Sequence, residues 1–364
     1  MPLPEIVPPY PVIQAALRLR GRLLDLVDRM LPAEGALWDL TAGLQRAKLA
    51  GALVDSGLAD ALGEGWQRVD ELARELELEP QVTFRVLRAA AAARLVRLRG
   101  ERARLSRIGA PLARSHSASI ASWASYLAAP ANARGYEQLT AQLAAGAEPS
   151  GHRRAFGDSI WEYLAEHPAQ EARFAAAMRE MTAIDVPALA RAYPWPDSGV
   201  ICDVAGGIGT LLAAILARRP AARGILLDAP EVLAQAEAFL AARGLAGQVE
   251  RRPGNLFGEL DARAELYILK WILHDWSDAA CVGILRRLRA SMPSGSRVLV
   301  IDQHQEPTVP SPITSMVDLH MLVECEGGRE RSPAEVHELM REAGLQPGPV
   351  RHAGLHMLVE GRAP

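Results

Sequence analysis

Lysine is almost missing from this chain. Of its 40 basic residues only Lys48 and Lys270 are lysine, and the rest are arginine. The charges nearly balance, with a net charge of −3 and a pI near 6.3, so no overall pull toward nucleic acid or a membrane surface is expected. No apolar run reaches the roughly 18 residues that a membrane span needs. The three cysteines, Cys202, Cys281 and Cys325, are widely separated, odd in number and free of any CxxC pair. That pattern argues against a disulfide framework or a structural zinc site, and suits free thiols in a reducing cytoplasm. The first dozen residues, with Pro2, Pro4, Pro8, Pro9 and Pro11, lack the charged start and apolar middle of a signal peptide. A cytoplasmic protein is the expectation.

What is present is length and apolar content. With 364 residues, 49% of them apolar, the chain can bury the cores of two domains. After the proline-rich arm, apolar residues recur at helical spacing from Val12 to Leu31 until Pro32 breaks the pattern. A second helical stretch is expected from about Ala36 to Leu62, ending at Gly63-Glu-Gly65. A short helix capped by Asp70 follows, then a turn at Glu79-Pro80 and a helix from Gln81 to Ala93. Around Gly100, residues 94–106 alternate apolar and polar side chains as a hairpin does. Helix, turn, helix, hairpin is the order of a winged helix. From about Ser117 to Ala192 the alanine-rich chain reads as several helices, and Tyr193-Pro194-Trp195-Pro196 breaks it. The expected organisation is an arm and helix over 1–33, a winged-helix domain over 34–116, a helical connector over 117–197 and a final domain over 198–364.

In that final domain strands alternate with helices. Strands are expected at Val200–Val204, Gly224–Leu227, Gln248–Arg251, Glu265–Leu269 and Arg297–Ile301, with one or two more between about Val350 and Glu360. This alternation implies an α/β fold, a parallel sheet with helices on both faces. Two segments at strand ends carry polar chemistry, where open α/β sheets bind ligands. The first is the turn Asp203-Val-Ala-Gly206-Gly207-Ile-Gly209, whose glycines permit a tight bend and close approach of a ligand to the main chain. A dinucleotide fingerprint would need another glycine where Leu212 stands, so a nicotinamide cofactor is disfavoured. Asp228 ends the next strand and can accept both hydroxyls of a ribose; capping the helix after Pro230 is its alternative role.

The second segment is Leu266-Tyr-Ile-Leu-Lys270-Trp271-Ile-Leu-His274-Asp275-Trp276-Ser-Asp278. A nearly lysine-free chain keeps a lysine here, and ammonium and guanidinium are not interchangeable at a close contact. His274 at the strand's end is a candidate general base, because an imidazole with an ordinary pKa near 6.5 can take the proton of a phenol. Asp275 either shapes the site or caps the helix starting near Ser277. No HxH, HxxxH or CxxC pairing occurs within this segment, so no catalytic metal is expected.

These two segments resemble the plant caffeate-type and bacterial polyketide-type O-methyltransferases. Further matches follow in that family's order: Leu227-Asp228-Ala-Pro230, Gly254-Asn255-Leu256-Phe257 and Gly327-Gly328-Arg329-Glu330-Arg331. The detailed match covers roughly residues 160 to 345. The resemblance implies a Rossmann-like methyltransferase sheet and an amino-terminal, mainly helical winged-helix domain. It implies S-adenosylmethionine as cofactor and S-adenosylhomocysteine as product. In the family the glycine turn, here with Asp203, Gly206, Gly207 and Gly209, contacts the methionine part, and Asp228 the ribose. Asn255 and Leu256 would lie by the adenine, where many members have aspartate in place of Asn255. Lys270, Met178 and Thr182 complete the implied cofactor contacts. Asp302 and Glu330 would bracket His274 and orient its ring. A small aromatic substrate, a phenol of a polyketide-like secondary metabolite, would meet Trp123, Trp161, Trp271, Asp275 and Met321. Its pocket is expected between the helices of 117–192 and the sheet's carboxyl edge. The family also implies a homodimer with exchanged amino-terminal helices.

Two other classes fit parts of the sequence. Some relatives keep the cofactor but hydroxylate or decarboxylate. The arginines around the hairpin (Arg94, Arg97, Arg99, Arg102, Arg104, Arg107) would suit a DNA-binding regulator. However, the helix from Gln81 to Ala93 offers few side chains for reading base edges, so no nucleic-acid partner is expected.

Overall fold

The computed structural model describes residues 8–63, 65–258, 260 and 262–364. They form two compact units, one made of Arg18–Arg134 and Leu164–Ile184, the other of residues 8–17, Gly135–Tyr163 and Asp185–Pro364.

In the first unit the expected single stretch over 36–62 is three helices, Ala33–Thr41, Gly43–Asp55 and Leu58–Leu62. Gly57, with φ at +78°, takes a left-handed conformation that no continuous helix tolerates. Strand β1 (Gln67–Arg68) leads into helix Val69–Glu75. Asp70 does not cap that helix: Arg68 occupies the cap position, and Asp70 sits inside the first turn, where its Oδ1 accepts from Arg68 Nε at 3.0 Å. Helix Pro80–Ala92 starts with Pro80 in the first turn and with Glu79 accepting the Val82 N–H. Strands β2 (Val96–Arg99) and β3 (Arg102–Leu105) form the hairpin, giving a sheet in the order β1-β3-β2. Leu53, Leu62, Leu72, Leu87 and Val96 form the core beneath it.

The second unit is built on seven strands: β4 (Ser198–Val204), β5 (Ala221–Asp228), β6 (Val249–Pro253), β7 (Leu266–Lys270), β8 (Arg297–Gln303), β9 (Gln346–Ala353) and β10 (His356–Arg362). Their order is β6-β5-β4-β7-β8-β10-β9. The first five run parallel, whereas β10 is antiparallel to both β8 and β9, so the sheet is mixed rather than wholly parallel. The short turn between β9 and β10 explains this, since a parallel connection needs a crossover of a dozen or more residues.

Period-two alternation splits each central strand between two cores. On β7, Leu266 and Ile268 face one side with Leu212, Ile215 and Leu240, while Tyr267 and Leu269 face the other with Ile284, Leu285 and Met340. Helices cover both faces, which is why these strands read as continuous apolar runs. The chain steps outward from β4 through β5 to β6, then returns to the other side of β4 at β7. The strand order therefore reverses between β4 and β7, and a crevice at their carboxyl ends is the expected ligand position.

Candidate active site

The glycine turn bends straight out of β4. Ala205, Gly207 and Gly209 have φ of +53°, +61° and +83°, and helix Thr210–Arg218 starts immediately after. Gly206 has no room for a side chain: a Cβ there would lie 2.5 Å from the Asp203 carboxyl carbon. Asp203 is buried, and burial pushes its carboxyl up to about 7 against the opposing pull of Lys270. At the end of β5, the two Asp228 oxygens accept the Gly207 N–H at 2.7 Å and the Ala229 N–H at 2.8 Å. Burial raises the Asp228 carboxyl despite those bonds. Ala229, not Asp228, holds the cap position of helix Pro230–Ala241. Asn255 lies beyond β6 and is exposed, and its Oδ1 accepts the Phe257 N–H at 2.8 Å; Leu256 beside it is half-buried.

Across the strand-order reversal, β7 ends at Lys270. Its Nζ lies 3.3 Å from the centre of the Trp271 ring, and burial lowers its pKa to about 8 although Asp185, Asp203 and Asp302 pull the other way. Trp271 has φ at +58°, a strained conformation for a large side chain, fixed by a backbone bond to Ile301 and by stacking on His356.

The next residues form a single 3₁₀ turn, Leu273–Asp275, carrying His274. His274 Nδ1 lies 2.7 Å from Glu330 Oε1, and Nε2 lies 3.4 Å from Asp275 Oδ1. Burial disfavours a charged ring, yet Glu330 and Asp275 together outweigh it and hold the imidazole's pKa above its ordinary value. Helix Asp278–Ser291 is capped by Ser277, which frees Asp275 from that role. Asp302 falls inside β8 rather than closing it. Its Oδ1 is buried without a hydrogen-bond partner, burial raises its pKa, and it acts on the ring through its field, with no ion pair to it.

Glu330 is delivered by the Gly327-Gly328-Arg329-Glu330-Arg331 loop. Gly328 passes so close that a Cβ would lie 2.8 Å from the His274 carbonyl oxygen, and the Arg329 N–H bonds that oxygen at 2.8 Å. Asp318, on helix Thr314–Glu324, accepts the Glu330 N–H at 2.8 Å. Neither Asp318 nor Arg331 was singled out by pattern, since each acts through contacts between distant segments. Trp276 is a third such residue: it stacks on Trp161 with centroids 5.8 Å apart and meets Phe257 edge-on at 4.7 Å. Met321 is buried on the same helix as Asp318. The structure thus gathers His274, Asp275, Glu330 and Trp271 with Lys270 and Asp203 in one unit. Trp123 lies on helix Ala121–Ala128, and Met178 and Thr182 on helix Pro168–Ala192, all within the other unit. Among the described residues no three His, Cys, Asp or Glu side chains gather as a metal-binding group.

Residues 136–346 match the family model described as an O-methyltransferase domain. The chain belongs to this family. It is 33% identical over 316 residues to the mitomycin biosynthesis 6-O-methyltransferase of Streptomyces lavendulae, covering 86% of this chain and 89% of that one. A solved mitomycin 7-O-methyltransferase superposes with a TM-score of 0.84 at 33% identity, over 91% of this chain and 98% of that one. An O-methyltransferase of neocarzinostatin biosynthesis, solved with S-adenosylmethionine and 2-hydroxy-5-methyl naphthoic acid, superposes at 0.75 and 28% identity, over 89% and 96%. The protein is accordingly an α/β enzyme, an S-adenosylmethionine-dependent O-methyltransferase.

Proposed function

We propose that this enzyme methylates a phenolic hydroxyl of a small aromatic secondary metabolite, with His274 as general base and without a metal. The single observation carrying the proposal is the 2.7 Å contact between His274 Nδ1 and Glu330 Oε1. Once Glu330 accepts the Nδ1 hydrogen, the tautomer is set, and in the neutral ring Nε2, 3.4 Å from Asp275 Oδ1, is the nitrogen that takes a substrate proton. A phenol with an ordinary pKa near 10 needs such an acceptor as its oxygen forms the new bond. The Glu330 and Asp275 carboxylates stabilise the imidazolium that results. Trp161, Trp271, Asp275 and Met321 are the proposed substrate contacts.

The residues at the ends of β4, β5, β6 and β7 fit the cofactor. Gly206 keeps the main chain bare beside Asp203, and Asp228 stands at the strand end that suits a ribose diol. We assign Asp203, Gly206, Gly207, Gly209 and Lys270 to the methionine part. Asp228 takes the ribose, and Asn255 and Leu256 the adenine. Bound there, the cofactor supplies an electrophilic methyl group whose transfer leaves a neutral thioether, so no general acid is called for. Asp302 is assigned to hold the electrostatic balance around His274.

We further propose a homodimer formed through the amino-terminal helices and a winged-helix domain over 34–116. Leu19, Leu23, Leu26, Val27, Leu37 and Trp38 on the first helices are exposed apolar side chains, a pattern that calls for a partner surface. A cytoplasmic location agrees with the three free, buried cysteines. Among the described residues no helix is long and apolar enough to cross a membrane. The test is incubation with S-adenosylmethionine and naphthol, catechol and hydroxyphenazine acceptors. A product heavier by one CH₂, formed by the natural chain and absent with His274→Gln, is expected. Equal turnover by His274→Gln would remove the base assignment.

A further inference from the structure

Arg331 is among the largest fully buried side chains in the molecule, 2% exposed, in a chain whose arginines mostly line the surface. A guanidinium cannot lose its proton, so burying one demands that nearly every N–H meets an acceptor. Its acceptors sit around the turn that carries His274 and in its own loop. Nη1 donates to the Leu273 carbonyl at 2.6 Å, and Nη2 to the Trp276 carbonyl at 2.8 Å. Nε and Nη2 both donate to Asp278 Oδ1, at 2.9 and 2.7 Å. Nη1 also reaches the Arg329 carbonyl at 3.3 Å, closing its own loop. The Arg329 N–H meanwhile holds the carbonyl of His274 itself.

We infer that Arg331 is a positioning residue for the methyl transfer, a clamp that locks the 273–276 turn to the loop delivering Glu330 and so fixes imidazole and carboxylate in register. Three successive residues divide the work. Arg329 holds the His274 backbone, Glu330 holds its ring, and Arg331 holds the carbonyls on either side. A 3₁₀ turn three residues long has little stiffness of its own, since its internal bonds are short-range and poorly aligned. The clamp supplies that stiffness from 55 or more residues away in sequence. Arg331 also places a fixed positive charge beside Asp302, whose proton affinity it lowers.

This inference rests on His274 being the base, and geometry and charge can be separated experimentally. Arg331→Lys keeps the cation but cannot span Leu273, Trp276 and Asp278 together. Its kcat should fall on the order of 100-fold, as for a small misplacement of a reacting group. The KM for S-adenosylmethionine and the acid limb of the pH–rate profile should stay in place. Arg331→Met also loses the charge, and its limb should move to higher pH, because removing a cation favours protonated neighbours. Asp278→Asn, altered at the half-exposed end of the clamp, should lose several-fold in kcat and keep its fold; titration with S-adenosylhomocysteine counts correctly folded sites in every variant. Normal kcat in both Arg331→Lys and Asp278→Asn, with His274→Gln inactive, would overturn the clamp and leave the base assignment standing. An active His274→Gln would overturn the base assignment itself.

Discussion

The two sides of the strand-order reversal solve opposite problems. On the β4–β5 side, Asp228 is satisfied by two backbone N–H groups within its own neighbourhood, and Gly206 is dictated by the shape of one turn. On the β7–β8 side, His274 is held by Glu330, and Glu330 by Asp318, each on a different segment, while Asp302 Oδ1 has no hydrogen-bond partner among the described residues. The first side is preorganised by main chain, the second by side chains meeting over long sequence separations. Binding therefore depends on local geometry, and proton transfer on tertiary assembly. Mutations should separate along that line.

Replacing His274 by glutamine should have the largest effect. It removes a buried base, and kcat should drop by roughly 10²- to 10⁴-fold. The dissociation constant for S-adenosylhomocysteine, read by calorimetry, should barely move. A parallel loss of cofactor affinity would mean that the two sides are not separable.

Glu330→Gln comes next and tests the electrostatics. The carboxylates raise the His274 pKa from 6.5 to about 10, so the neutral, proton-accepting ring is depleted below that value and kcat/KM should climb as pH rises toward it. Taking one carboxylate away lowers that pKa, and the rising limb should shift toward acid while the maximal rate falls. The same sign applies to stability. A histidine whose pKa is raised in the folded state stabilises the fold below its ordinary pKa, and that contribution fades as pH rises through the raised value. The natural protein should thus lose more thermal stability than Glu330→Gln between neutral and alkaline pH. An unmoved limb in Glu330→Gln would break the assignment of Glu330 as partner to the base.

How much of this was legible in the sequence follows the same division. The glycine turn could be read because left-handed backbone and crowding against Asp203 are local demands that few residues meet. His274 could be read because a strand's apolar run stops just before it. The carboxylates around the ring were only partly legible. Glu330 and Asp302 were the expected bracket, but the acid nearest Nε2 is the adjacent Asp275. Which carboxylate reaches a ring nitrogen depends on how β7, β8 and two loops pack, and no periodicity encodes that. Arg331 was harder still, since an arginine next to charged neighbours reads as surface although it is buried. In the first unit, Asp70 has the right residue type for a cap, but Arg68 draws its carboxylate into an ion pair instead.

On the main-chain side the effects should be smaller and confined to binding. Asp228→Ala removes the acceptor for the Gly207 and Ala229 N–H groups and, in our assignment, for the ribose. With charge-assisted hydrogen bonds contributing about 1.5–3 kcal/mol each, affinity for S-adenosylhomocysteine should fall roughly 10- to 100-fold. The rate at saturating cofactor should stay close to normal. A collapse of kcat at saturation would show that Asp228 shapes the reacting geometry as well.

Asn255→Asp should produce the mildest change. Asn255 Oδ1 is already engaged by the Phe257 N–H, so the group it can offer a ligand is an amide donor. Aspartate keeps the bond to Phe257 with one oxygen and turns the other outward as an acceptor, which suits the exocyclic amine of adenine. Asn255 is exposed, so solvent screens the added charge and the gain should be only a few-fold in affinity, about 0.5–1 kcal/mol. The measurement is the dissociation constant for S-adenosylhomocysteine in both proteins at low and high salt. A tightening that persists at high salt points to a direct hydrogen bond, whereas one that vanishes points to long-range charge alone. Weaker binding by the aspartate variant would place adenine against an acceptor it must avoid, and would move the adenine site away from Asn255.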